Sequence, residues 1–391
     1  LEEVALRYES LGEPGRACDV RLLMSQVALR EGEGPRALAL TQQAAALAGN
    51  PGDRAGACAY QEARVFAALG NLGQSESILR SERLRDDPGP PPAGPQVPSR
   101  LPQEAEGTYR ERVGAWAMEN QLALDAYREA SRRHRASRVQ AMARDTLLIQ
   151  VLSARGAYEE ALRVARKIIT DPEGALLDPA LHAEALLRRG DVLQQVSPEE
   201  ALAAFDEVLA LAQVREAQAQ AALSIGRTHW LLGELAEAEA AFTQTLERYP
   251  EQAPVAAASR VSRGMVRYQA GRATEAFSDW RAVRDAPRAW PDTLGEQAAL
   301  TLLGEAGAEA GPDAALRRVP LEDRNDLLFW TSCRLWMEGD EASAVGWLNR
   351  VLDANPLHDW PHPLAGAWMR GLGVGAGPAI PRLTPVAPPP Q

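Results

Sequence analysis

The chain has 391 residues, a formal net charge of −11 and a pI near 5.2, with 46% hydrophobic but only 5% aromatic residues. That acidity excludes a general nucleic-acid binder, which needs clustered positive charge against phosphates. Alternating β-branched runs are nearly absent and Ala and Leu abound, so the expected fold is all-α.

Three cysteines, Cys18, Cys58 and Cys333, lie far apart in sequence, an odd number without the short spacings of a disulfide framework or a zinc site. This favours a reducing compartment, and the cytoplasm is expected, with a periplasmic or envelope-associated location as the alternative. No apolar run approaches the roughly 18 residues of a membrane helix. Lys167 is the only lysine. The chain opens at Leu1 within a helical pattern, as a processed protein or a piece of a larger one would.

Taken in chain order, one template recurs: a glycine closing a first helix, an alanine five residues on, a large apolar residue four further. Gly32 with Ala37 and Gly70 with Ser75 and Leu79 begin it. Residues 86–102 then read DDPGPPPAGPQVPSRLP, seven prolines in seventeen residues, which cannot be helix. This is an inserted loop of polyproline character, either a linker or a docking site for a proline-reading domain. A weaker unit has Ala123 and Tyr127. The arginines between Arg128 and Arg144 are either a patch for an acidic partner or a solvated helix face.

Gly156 with Ala161 and Ala165, and Gly190 with Ala201 and Phe205, continue the series. The clearest units carry two glycines seven residues apart: Gly226 and Gly233, then Gly264 and Gly271. Ala238 and Phe242 follow the first pair, Ala276 and Trp280 the second. Gly304 and Gly311 repeat the spacing in a degenerate unit. Gly339, Ala344, Leu348 and Pro356 form the last, and residues 371–391 are a Gly/Pro-rich tail. The domain boundaries are therefore 1–85 and 103–370 for the helical units, the latter ending in a capping helix, with 86–102 as insert and 371–391 as tail.

Each mark has a mechanical reason. Small residues such as Gly226 and Ala238 let two antiparallel helices cross closely. The second glycine, such as Gly233, supplies the positive φ that ends the first helix. Phe242 and Trp280 fill the groove between pairs, and Pro250 and Pro356 close the second helix. No pair buries its apolar face alone, so the units must stack.

The run G226-x6-G233-x4-A238-x3-F242-x7-P250 resembles the tetratricopeptide repeat signature. The likeness extends over roughly residues 15–370, strongest in two units. It implies a right-handed superhelical solenoid of about nine antiparallel helix pairs. Most spacings, 37–40 residues, exceed the family's usual period of about 34 residues. They resemble the long repeats of bacterial sensor and regulatory arrays. His229 and Arg267 stand where a tyrosine is common.

The resemblance also implies that first helices line a concave face. Four residues after Gly226, Gly264 and Ser332 come Trp230, Tyr268 and Trp336, at one register in three units. Arg227, Gln269, Arg64 and Arg112 share that face. These residues either anchor a ligand or pack adjacent first helices against each other. Eight of nine tryptophans follow residue 229. They fill irregular gaps or form a binding surface.

Catalytic signatures are missing: there is no GK[ST], no G-x-S-x-G and no HExxH. His358 and His362 have a metal-like spacing, but Pro361 lies between them and separates their faces. No cofactor or metal is expected, nor catalysis. The expected function is a non-enzymatic scaffold that binds a peptide or protein on its concave face or bridges subunits of an assembly. The alternative is the sensor segment of a larger signalling protein, such as a kinase, cyclase or nucleotide-switch regulator.

Overall fold

A computed structural model describes residues 1–48, 53–81, 84, 92–101, 103–211, 214–286, 293–305, 316, 323–353 and 360–371. Every regular element among them is a helix. The N-terminal part comprises α1 (Glu2–Ser10), α2 (Pro14–Arg30), α3 (Gly34–Ala48), α4 (Asp53–Ala68) and α5 (Leu72–Leu79). After the insert come α6 (Glu106–Glu119), α7 (Gln121–Ala154), α8 (Tyr158–Ile169) and the one-turn α9 (Gly174–Leu177). The most regular stretch holds α10 (Pro179–Val196), α11 (Pro198–Leu209), α12 (Arg215–Leu232), α13 (Leu235–Arg248), α14 (Ala253–Gln269) and α15 (Ala273–Arg284). The last are α16 (Thr293–Leu303), α17 (Arg324–Met337), α18 (Glu341–Asp353) and α19 (Pro361–Gly371).

Pairs form as α2/α3, α4/α5, α7/α8, α10/α11, α12/α13, α14/α15 and α17/α18. First helices also touch in succession, α2 to α4 to α7 to α10 to α12 to α14 to α16, giving a solenoid with a continuous inner layer. Each pair is built around one close contact. A Cβ placed on Gly226 would fall 2.5 Å from Cε1 of Phe242. The same ring-on-glycine contact joins Gly190 to Phe205 and Gly264 to Trp280. Ala201, Ala238, Ala276, Phe205, Phe242 and Trp280 are all fully buried. Gly233 and Gly271 have φ of +77° and +79°, the left-handed conformation that ends α12 and α14. Pro250 lies in the turn after α13.

Two expectations are corrected. Gly304 has φ +75° and ends α16, so it matches Gly233 and Gly271, not Gly226. The position in register with Gly226 and Gly264 is Gln297, seven residues before Gly304, and a seven-residue glycine spacing alone does not distinguish the two roles. Its companion Gly311 lies outside the described residues, as do Pro356 and the tail 372–391. The unit expected at Ala123 and Tyr127 is instead part of α7, one unbroken helix of 34 residues. Neither Gly nor Pro occurs within it to end it earlier.

Of the Pro-rich insert, residues 92–101 are described and take no helix or strand. Arg112 on α6 holds this segment, donating to the Ser99 carbonyl at 2.8 Å and pairing with Glu104 at 2.7 Å. The basic run of α7 is largely neutralised: Arg128 pairs with Asp125, Arg133 with Glu129, and Arg138 with Asp171 and Glu173.

The glycine–ring contact predicts opposite responses at two helical glycines. Gly226→Ala overpacks against Phe242 and lowers stability by about 1–3 kcal/mol. Gly346→Ala in α18, where an added Cβ meets nothing within 4 Å, raises it by up to about 1 kcal/mol. Urea unfolding of both variants checks this. Equal effects would remove the glycine–ring contact as the reason for the repeat.

Candidate functional site

Helices α10, α12, α14 and α16 present one side of the inner layer to a pair of adjoining cavities. The first, of about 360 Å³, is lined by α10 and α12 through Glu184, Arg188, Asp191, Gln220, Ser224 and Arg227, and closed by Trp360. The second, of about 270 Å³, lies between α12, α14 and α16 and reaches Asp323, Asp326 and Trp330. Gln220, Arg227 and Trp360 border both. The cavities are thus two lobes of one groove with a waist at Arg227 and Trp360.

The waist is electrostatically unusual. The Arg227 guanidinium lies 3.7 Å from the centroid of the Trp360 ring, a cation–π contact. Its Nε has no hydrogen-bond partner. Burial brings its pKa down to about 10, against the opposing pull of Asp326 and Asp191. Asp326 is only 6% exposed. Burial raises its carboxyl to about 6, partly offset by Arg227 and by the Trp360 indole, whose Nε1 donates to Oδ2. Asp326 Oδ1 is buried without a partner. Asp191 is likewise raised by burial, although Arg188 bonds to it at 2.9 Å. An unpaired donor and an unpaired acceptor, both shielded from solvent, therefore belong to two residues that line the same groove, an arrangement that costs stability.

The aromatic stripe has a different placement. Trp230, Tyr268 and Trp336 are 0%, 2% and 5% exposed. The Trp230 indole donates to Gln269 Oε1 at 2.7 Å, joining α12 to α14 and burying Gln269 with it. Trp230 also stacks on Trp330 at 6.2 Å and meets Phe329 edge-on at 6.0 Å, both on α17. Trp336 contacts Tyr268 at 6.1 Å and Trp368 of α19 at 5.2 Å. Helix α19 touches both α17 and α12, so the stripe is packed over instead of opening to the groove. Of the residues expected on the concave face, Arg227 alone lines the cavities at the waist; Arg64 on α4 and Arg112 on α6 do not.

Sequence reasoning missed Trp360, Asp326 and Asp191. No spacing marked them: Trp360 lies 34 residues after Asp326, short of this chain's own repeat, and the two meet only because α19 folds back toward α12 and α17. The slots where tyrosine is common carry polar side-chain contacts. His229 bonds Glu234 at 2.7 Å, and Arg267 bonds Glu239 at 2.8 Å and Asp279 at 3.0 Å. His358 lies outside the described residues, and His362 is half-buried, its pKa lowered by burial. No group of three His, Cys, Asp or Glu able to hold a metal occurs among the described residues. Nor is any described helix long and apolar enough to cross a membrane.

Residues 193–253 and 223–292 match the family model of the tetratricopeptide repeat. No curated protein matches the chain. Among solved structures, one similar to it is the crystal structure of Rap protein complexed with competence and sporulation factor. That likeness has 16% identity and a TM-score of 0.44, over 87% of this chain and 98% of the other.

The raised carboxyl of Asp326 has a pH signature. A carboxyl whose folded pKa exceeds its unfolded value holds its proton more tightly when folded. Its contribution to stability is therefore greatest in acid and is lost as pH rises from about 4 to about 6. Asp326→Asn removes that loss. The unfolding midpoint of the variant relative to the parent should climb between pH 4 and 6 and stay level above. A difference independent of pH would show that Asp326 is ionised in the ordinary range.

Proposed function

The chain is a tetratricopeptide-repeat protein, its repeats matched over residues 193–292, and on that premise we propose that it binds a partner segment in the groove at Arg227 and Asp326. The observation that carries this is the pair of unsatisfied buried polar atoms on residues that line the groove, Arg227 Nε and Asp326 Oδ1. An extended peptide offers an acceptor and a donor on adjacent backbone groups, which suits both at once. The Trp330 and Trp360 rings flank them and supply apolar surface for a side chain.

Charge indicates which segment. The groove is bordered by Glu184, Asp191, Glu216, Asp323 and Asp326 against Arg188 and Arg227. Arg188 is already committed to Glu184 and Asp191. Five carboxylates against two guanidiniums leave the lining acidic, so the segment is net basic, and its association weakens with salt. The protein acts as a non-enzymatic scaffold: the groove holds and orders a partner, and the long array presents it to others.

A fluorescent peptide library with basic, neutral and acidic members tests this on the full chain. Basic members should bind, and Asp326→Asn and Arg227→Gln should each weaken them about tenfold, the loss of one charged hydrogen bond. Unchanged affinity in both variants, with their folds intact, would move the site elsewhere.

A further inference from the structure

Cys18, Cys58 and Cys333 are all free thiols. Two of them meet. Cys18 on α2 and Cys58 on α4 have their sulfurs 3.7 Å apart, at 0% and 2% exposure. They are 40 residues apart, one repeat length, and so face each other on successive first helices. We propose that Cys18 and Cys58 are a redox pair, closed by a small-molecule disulfide into a bond that ties the first helix of one unit to that of the next.

The geometry is close to that of the product. A disulfide needs sulfurs about 2.05 Å apart, so closing asks for a shift of roughly 1.7 Å. Side-chain rotation supplies much of that. The sulfurs share a small cluster with Ala44, and Leu22, Leu47 and Ala48 pack around it. Cys333 serves as an internal control: it is buried on α17, within the separate C-terminal core.

The reaction proceeds by two exchanges. The Cys18 thiolate attacks one sulfur of the small disulfide and expels the other as a thiolate. Cys58, deprotonated in turn, attacks the Cys18 sulfur of that mixed disulfide and expels the second small thiolate. Two protein thiols lose two protons and two electrons, and the small disulfide is reduced to two thiols. Cys18 is the first nucleophile because its contact with the Cys58 thiol favours the Cys18 thiolate and disfavours that of Cys58. Burial pushes the Cys58 thiol up to about 12 and raises that of Cys18. The pair therefore stays reduced while α2 and α4 are packed and reacts when they part. Exchange then reports on opening at this end of the array.

The full chain, reduced and then held in oxidised glutathione at mild alkaline pH under folding conditions, gives the test. The expected result is one remaining thiol per chain and a non-reduced peptide linking Cys18 to Cys58, two hydrogens lighter than its parts. It should revert with dithiothreitol. The oxidised chain should melt roughly 5 °C higher in its N-terminal units. Glutathione retained on Cys18 or Cys58 without an internal bond would overturn the proposal. So would three thiols surviving at equilibrium, or links that include Cys333. The mapping uses the natural sequence, and Cys58→Ser adds an arm in which glutathione should remain on Cys18.

Discussion

An aromatic ring resting on a glycine is the contact on which the array depends. Phe205, Phe242 and Trp280 occupy the space a side chain would fill at Gly190, Gly226 and Gly264. That substitution of ring for Cβ lets the two helices of a pair cross closely and leaves the ring fully buried between them. Once the crossing is set, the left-handed glycines at the helix ends fix where the chain reverses. The first helices are then stacked side by side, and everything about the groove follows from that stack. Arg227 is held at the waist because it follows Gly226 directly and so projects from the same tightly anchored turn.

The features visible beforehand were those that a single unit determines. Helix ends, the close-approach glycines and the core rings depend on neighbours within about twenty residues, and their spacing carries them. Gly304 was misplaced in register because two physically different glycine roles share one spacing, and only φ separates them. Contacts between units were harder to read, yet many obey a simple rule. Trp230 and Gln269 are 39 residues apart and Cys18 and Cys58 are 40 apart, each about one repeat. Side chains within a residue or two of one period apart lie close on stacked first helices and therefore meet. The packing of Trp230 against Phe329 and Trp330 follows no such rule. It depends on how far the array bends, which no local spacing encodes.

Charge is organised along the same lines. The basic stretch of α7 reads as a patch in one dimension, but Arg138 reaches across to Asp171 and Glu173 after the next helix. Arg267 and Arg272 converge on Glu239 of the preceding unit. Arginine suits this use, since its planar fork serves two carboxylates at once. Neighbouring helices are thereby laced by pairs that carry little stability individually. The groove differs because its aspartate is buried and its arginine half-buried, and both are incompletely matched.

Helix α19 gives the C-terminal half a property that repeat arrays ordinarily lack. In an open array each unit touches only its neighbours, so units melt singly and the whole behaves as a spring whose ends fray. Here Trp230 is joined to Phe329 and Trp330, and Arg227 to Trp360, across intervening units. These long-range bonds convert a linear sum of nearest-neighbour terms into a closed circuit. Residues from α12 to α19 can then come apart only together, and strain applied at either end is shared by the whole segment.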